Sequence, residues 1–261
     1  MAKQTVVGYP LTPDLLQELD LLQSFPQTPD DFDPNSTWTN TYRIMTCHGY
    51  RESGNDDKGY LKLTRAPTGE TFQLTIDQKI VNSEAALHLY HAEITCLNTP
   101  CASPTAWMLS CRFVAPDGRP RTELDLDETG QTDGNTVQIQ TNGIERTYEG
   151  RITSDWCLFE AVQRLPFEPA DPIAFDLLEG LSTFKPDHRL SYRGLDAGLH
   201  QFYQIGHGVF PYEYWLDDGH RLLMVATGAR TYILAEDAES RTAVEEESGK
   251  RRYARLKQGA Q

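Results

Sequence analysis

Basic residues are scarce. The chain has 24 Lys and Arg against 38 Asp and Glu among 261 residues, a formal net charge of −14. A nucleic-acid binder ordinarily turns a basic face to phosphate, so this balance excludes nonspecific DNA or RNA binding. Long apolar runs are missing as well: no stretch approaches the roughly 18 apolar residues that a membrane-spanning helix needs. Cysteine is sparse, with five residues, which excludes a small disulfide-stapled scaffold. The odd number leaves at least one thiol unpaired in a monomer. Cys96 and Cys101 can close a short loop if the chain is exported, and their C-x4-C spacing is not the C-x2-C knuckle of zinc sites. Cys47, Cys111 and Cys157 read as small core fillers.

Signatures of common chemistry are also lacking. There is no P-loop. Gly206-His207-Gly208 has no third glycine and opens no helix, so it is no dinucleotide fingerprint. Gly180-Leu181-Ser182-Thr183-Phe184 lacks the second glycine of a nucleophile elbow. His88-Leu89-Tyr90-His91 lies in a stretch of period 2, where residues three apart point to opposite faces and cannot chelate together. Asp125 to Gly130 begins like a calcium loop, but Thr136 stands where the bidentate acid belongs. No cofactor and no metal are expected. The segment Met1 to Pro10 has one positive charge and no apolar core of a signal peptide. As written the chain reads as cytoplasmic; a trimmed exported form would read the same.

What is present is enough apolar material for a core, 39% hydrophobic and 10% aromatic. Residues 1–36 read as an N-terminal helix and linker. Thr12 caps, Pro13 sits at the first helical position, and Leu15, Leu16, Leu19, Leu22 and Phe25 form one stripe. From Trp38 the period changes to 2. Phe72, Leu74, Ile76 and Ile80 face one way; Thr71, Gln73, Thr75, Asp77 and Lys79 face the other. Asn142-Gly143 between alternating runs marks a tight hairpin. Short turns recur, so residues 37–150 read as an eight-strand antiparallel meander. A helix follows near 154–165, capped by Ser154 or Asp155 and ended by Pro166. Residues 166–187 read as irregular, with a short helical piece at Phe175 to Leu178. Strands are expected near 188–194, 198–207, 211–217, 220–227 and 230–235, closing a β-rich domain over 37–235. Residues 236–261 form a charged tail without apolar period, a solvated helix or a disordered end.

The expected fold is therefore mainly β: one large curved antiparallel sheet, a half-barrel or open barrel of about 11–13 strands, with one buried mid-chain helix. The order of elements, strands then one apolar helix then strands, resembles the outer-membrane lipoprotein carrier superfamily of half-barrels. It also resembles an uncharacterised bacterial protein family of that architecture. The resemblance is carried by Ser154-Asp155-Trp156-Cys157-Leu158-Phe159-Glu160-Ala161-Val162-Gln163-Arg164-Leu165-Pro166 and by the run Ile205 to Asp217. It implies a concave face that holds a helix. Such folds serve lipid carriers and also a cofactor-free enzyme of violacein pigment biosynthesis, so the fold does not select a function.

Aromatic residues are the most suggestive feature, although ordinary core packing accounts for most of them. A curved sheet of this size leaves more concave volume than one helix fills, and the remainder suits a small molecule. Trp156 and Phe159 are expected to line that space, with Tyr42, Arg193, Tyr203, His207, Tyr214 and Trp215 as candidate polar or aromatic handles. The leading expectation is non-catalytic binding of an apolar or amphipathic small molecule or lipid. The alternatives are a cofactor-independent enzyme, with His207 or Tyr214 moving protons, and a protein-interaction module whose acidic surface meets a basic partner.

Overall fold

The computed structural model describes residues 25–46, 56–82, 85–228 and 230–259. The expected N-terminal helix, Cys47 and His48 lie outside the described residues. The strands are β1 (Trp38–Thr46), β2 (Asp56–Thr68), β3 (Thr71–Val81), β4 (Leu87–Leu97), β5 (Pro104–Val114), β6 (Leu126–Asp133), β7 (Thr136–Thr141), β8 (Ile144–Glu149) and β9 (Ile152–Ser154). Helix α1 (Asp155–Ala161) follows, then β10 (Ile173–Glu179), β11 (Thr183–Asp196), β12 (Leu199–Ile205), β13 (Tyr212–Leu216), β14 (Leu222–Ala226), β15 (Arg230–Leu234) and helix α2 (Ala238–Gly259). All fifteen strands belong to one sheet, ordered β8 to β1 and then β15 down to β9. The count exceeds the expected 11–13 because short strands form where the sequence reads as irregular.

The first meander follows from side-chain alternation. In β3 every second residue is buried, from Phe72 to Ile80. The β7–β8 turn sits on Asn142 and Gly143, both at positive φ (47° and 83°), the geometry a two-residue hairpin demands. Pairing of β1 with β15 joins the two halves into one continuous sheet. Its ends stay open. No backbone ladder links β8 to β9 among the described residues, but side chains bridge the gap. Arg146 donates to the Ser182 carbonyl at 2.7 Å, and the Tyr148 and Phe184 rings stack at 4.8 Å.

Two segments differ from expectation. Phe175 to Leu178 is strand, not helix: β10 pairs antiparallel with β11 and parallel with β9. A four-residue stretch with three apolar residues fits either period, and tertiary pairing decides it. The tail forms α2, which lies on the convex face against β1 to β3. Lys62 pairs with Glu239 at 3.0 Å, and Lys79 pairs with Glu246. Gly249 is needed there, since a Cβ would come within 2.7 Å of Ala85 Cβ. Cys96 and Cys101 are both free and buried, and Cys96 Sγ approaches Cys157 Sγ at 3.7 Å rather than Cys101. Among the described residues no helix is long and apolar enough to cross a membrane.

Candidate functional site

The concave face is organised around α1. The Ser154 hydroxyl accepts from Cys157 N at 3.0 Å and caps the helix, as its sequence position implies. Six of its seven residues, Trp156 to Ala161, are buried. A helix buried all round touches different chemistry at each level, and three levels can be distinguished.

At the C-terminal level, Glu160 is fully enclosed and meets two arginines. Its Oε1 accepts from Arg65 Nε at 2.8 Å and Arg164 Nε at 2.6 Å, and its Oε2 accepts from Arg164 at 2.9 Å. The remaining Arg65 donors reach the Ser36 carbonyl at 3.0 Å, the Asn35 carbonyl and Asn98 Oδ1 at 3.1 Å. Arg164 also reaches the Thr99 carbonyl at 3.0 Å. The Arg65 guanidinium lies 4.5 Å from the Phe72 ring centroid. This cluster ties α1 to β2 and to two loops, and its charges are saturated.

At the middle level, rings fill the space. Tyr42, Tyr214 and Tyr232 meet Phe159 edge-on, with centroids 5.5, 6.1 and 5.2 Å away. Tyr42 donates to the Leu222 carbonyl at 3.1 Å, and Tyr214 donates to Gln204 Oε1 at 2.6 Å. Gln204 in turn contacts His188 Nδ1 at 3.1 Å.

At the N-terminal level a cavity of about 440 Å³ opens, within the usual range for small-molecule sites. Asp155 and Trp156 of α1 form one wall with Glu179, the last residue of β10, and Gly180 of the turn that follows. Gln78 and Tyr90 project from β3 and β4, and Tyr212, Tyr232 and the exposed Arg230 complete the lining. Asp155 Oδ1 accepts from Gly180 N at 2.9 Å. Burial pushes the Asp155 carboxyl up to about 6, against backbone N–H groups that favour its charge and with Glu179 adding to the rise. Burial likewise raises Tyr90 to about 12 and lifts Tyr212 and Tyr232, so all three phenols stay protonated. Glu179 is paired with Lys185 at 2.7 Å. The positive charge of Arg230 acts on the Tyr232 hydroxyl, and Arg230 forms no ion pair among the described residues. Gln78, 6% exposed, has a buried Oε1 with no hydrogen-bond partner among the described residues. Other hollows are present, among them one of about 290 Å³ lined by Leu97, Pro100, Cys101, Pro104, Ile152 and Ile173. The one along Ala243 to Arg255 of α2, about 610 Å³, is an open outer surface of solvated charges.

The expected site residues fall into distinct places. Trp156 lines the cavity. Phe159, Tyr42 and Tyr214 form the packed middle level below it. Arg193 and Tyr203 lie together on the convex face, guanidinium over ring at 4.9 Å, and His207 is exposed in the β12–β13 turn. Trp215 is buried but has the opposite parity from Tyr214. His88 and His91 diverge, His88 against Phe113 and His91 Nδ1 on Asp77 at 2.8 Å. Sequence reasoning did not single out Gln78, Glu179, Arg230 or the acid role of Asp155. One signal was there: Gln78 is the polar residue that interrupts the apolar face of β3.

No family model matches the chain, and no curated protein matches it in sequence. Among solved structures it is similar to a beta-barrel-like protein from Brucella abortus, described as a domain of unknown function, DUF1849. The TM-score is 0.47 at 7% identity, over 77% of this chain and 96% of that one.

Proposed function

We propose that the chain binds a compact amphipathic small molecule in the cavity at the start of α1. One observation carries the reading: Gln78 Oε1 is a buried acceptor left unpaired beside a void. An unmet buried amide costs about 1–3 kcal/mol, and a bound donor group recovers it. Aromatic walls supply the apolar contact, while Arg230, Asp155 and Gln78 supply orientation. The resemblance to half-barrel carriers fits a concave-face ligand. The rings around Phe159 fill the depth of that face, which favours a compact ligand over a long acyl chain.

Native mass spectrometry of detergent-free protein is expected to show an adduct that denaturation releases. Gln78→Met, which keeps the length and removes the acceptor, is expected to lose the adduct while remaining folded. A wild-type protein without adduct, or a variant that keeps it, counts against the reading.

A second reading draws on Asp155. A carboxyl titrating near neutrality in a cavity is suited to general acid–base work. On that reading Asp155→Asn abolishes turnover of the bound molecule while its binding persists; turnover that survives the substitution removes it.

A further inference from the structure

We propose that this cavity takes a zwitterion with an apolar or aromatic body, of the charge pattern of a free α-amino acid. Its carboxylate sits on Arg230, and its ammonium lies between Asp155 and Gln78 Oε1. The inference rests on the cavity being a binding site, and adds the class of ligand.

The argument is one of unmatched charge. At the other end of α1, Arg65 and Arg164 close on Glu160, and within the cavity itself Lys185 closes on Glu179. Asp155 and Arg230 line one cavity and form no ion pair with each other or with any other described residue. Asp155 is held only by backbone N–H groups, and Arg230 leans on a neutral phenol. Both act on the same two hydroxyls. Tyr212 and Tyr232 feel the negative charge of Asp155 and the positive charge of Arg230, so both charges act on one part of the cavity that all four line. A ligand with one charge matches one end only. A bare carboxylate meets Arg230 but is repelled by Asp155 and Glu179; a bare amine meets Asp155 and leaves Arg230 unmatched. A zwitterion satisfies both ends, and its ammonium supplies the donor that Gln78 Oε1 lacks. The rings of Tyr90 and Trp156 accept a flat or apolar body.

The test is calorimetric titration of the full chain with four probes that share a benzene ring and carry different charges: L-phenylalanine, phenethylamine, 3-phenylpropionate and phenol. Phenylalanine is expected to bind at least tenfold tighter than each of the others. Arg230→Gln should reduce it to the level of phenethylamine, and Asp155→Asn to the level of 3-phenylpropionate, with folding checked by circular dichroism. Equal affinity for the three charged probes overturns the zwitterion and leaves the cavity reading standing; so does tightest binding of a singly charged probe or of phenol. Binding of no probe, or binding unchanged in both Trp156→Ala and Gln78→Met, overturns both.

Discussion

The two ends of α1 place charged groups inside the same curved sheet and treat them in opposite ways. At the Glu160 end, two arginines and one glutamate are bonded to each other, to backbone carbonyls and to Asn98. Gln163 completes that end, accepting from Asn40 at 3.2 Å and Leu222 N at 3.1 Å. At the Asp155 end, a carboxyl, a guanidinium and an amide oxygen surround a void without closing on one another. The two ends draw on similar residue types but differ in burial and in hydrogen-bond completion: Glu160 and Arg65 are enclosed, whereas Asp155 is half-buried and Arg230 exposed. A completed buried cluster is a strut, whereas an incomplete one beside a cavity is where a ligand gains most.

The comparison breaks most sharply at Glu160. Glu160→Ala leaves Arg65 and Arg164 enclosed without a counter-charge, and is expected to cost about 3–5 kcal/mol in urea unfolding. A double replacement of Arg65 and Glu160 by methionine is expected to lose much less, since the pair's desolvation is removed with its attraction. If the double replacement were as damaging as the single, the cluster would hold the fold by more than charge pairing. At the middle level, Phe159→Ala removes the ring that Tyr42, Tyr214 and Tyr232 abut. A loss of about 3–4 kcal/mol is expected, the range for an aromatic deleted from a packed core. A loss below about 1 kcal/mol would mean the rings do not form a close-packed layer.

Much of this architecture is legible in the residues, and the reasons vary by element. Alternation and the Asn142-Gly143 turn specify the eight-strand meander, because period and turn chemistry agree there. Ser154 announces the start of α1 by its capping chemistry alone. The parallel β9–β10 pairing is invisible locally, since a three-residue strand carries no period. Helix α2 hides for another reason. Its buried positions are Ala238, Thr242 and Gly249, so it docks by small size rather than by hydrophobicity. The candidate cavity is least legible. Parity says which face a side chain takes, but not how far along the barrel it sits. Gln78, Tyr90, Asp155, Tyr212 and Arg230 come together only through register across distant strands.

Asp155 offers a gentler contrast with Glu160. Its carboxyl is raised from 3.8 to about 6 in the folded state. The unfolded chain therefore releases this proton first, and the group's favourable contribution is full below about pH 4. It is lost as pH rises through 6. Asp155→Asn removes that dependence. At pH 7 the variant is expected within about 1 kcal/mol of wild type, and more stable if the lost desolvation outweighs the altered bond to Gly180. The stability difference, variant minus wild type, should grow between pH 4 and 6 and then level off. A difference flat with pH would show that Asp155 ionises in the folded state as it does in the unfolded chain.

The finest distinction lies at Gln78. If its amide oxygen is held unpaired for a ligand, the ligand-free protein carries an avoidable cost there. Gln78→Met keeps the length of the side chain, removes the acceptor and leaves the apolar neighbours of β3 in place. Stability without ligand is expected to rise by about 0.5–1 kcal/mol, seen as a higher denaturation midpoint at unchanged slope. A gain of this kind coupled to a loss of binding is the signature of a residue kept for function at the expense of stability. The same substitution at Gln163, whose oxygen and nitrogen are both bonded at the other end of the helix, should do the reverse and destabilise. Opposite signs at two buried glutamines, far apart in the sequence but both beside α1, would establish hydrogen-bond completion as the property that separates strut from site. Equal losses at both would mean that Gln78 is satisfied in solution and that the two ends of the helix are alike.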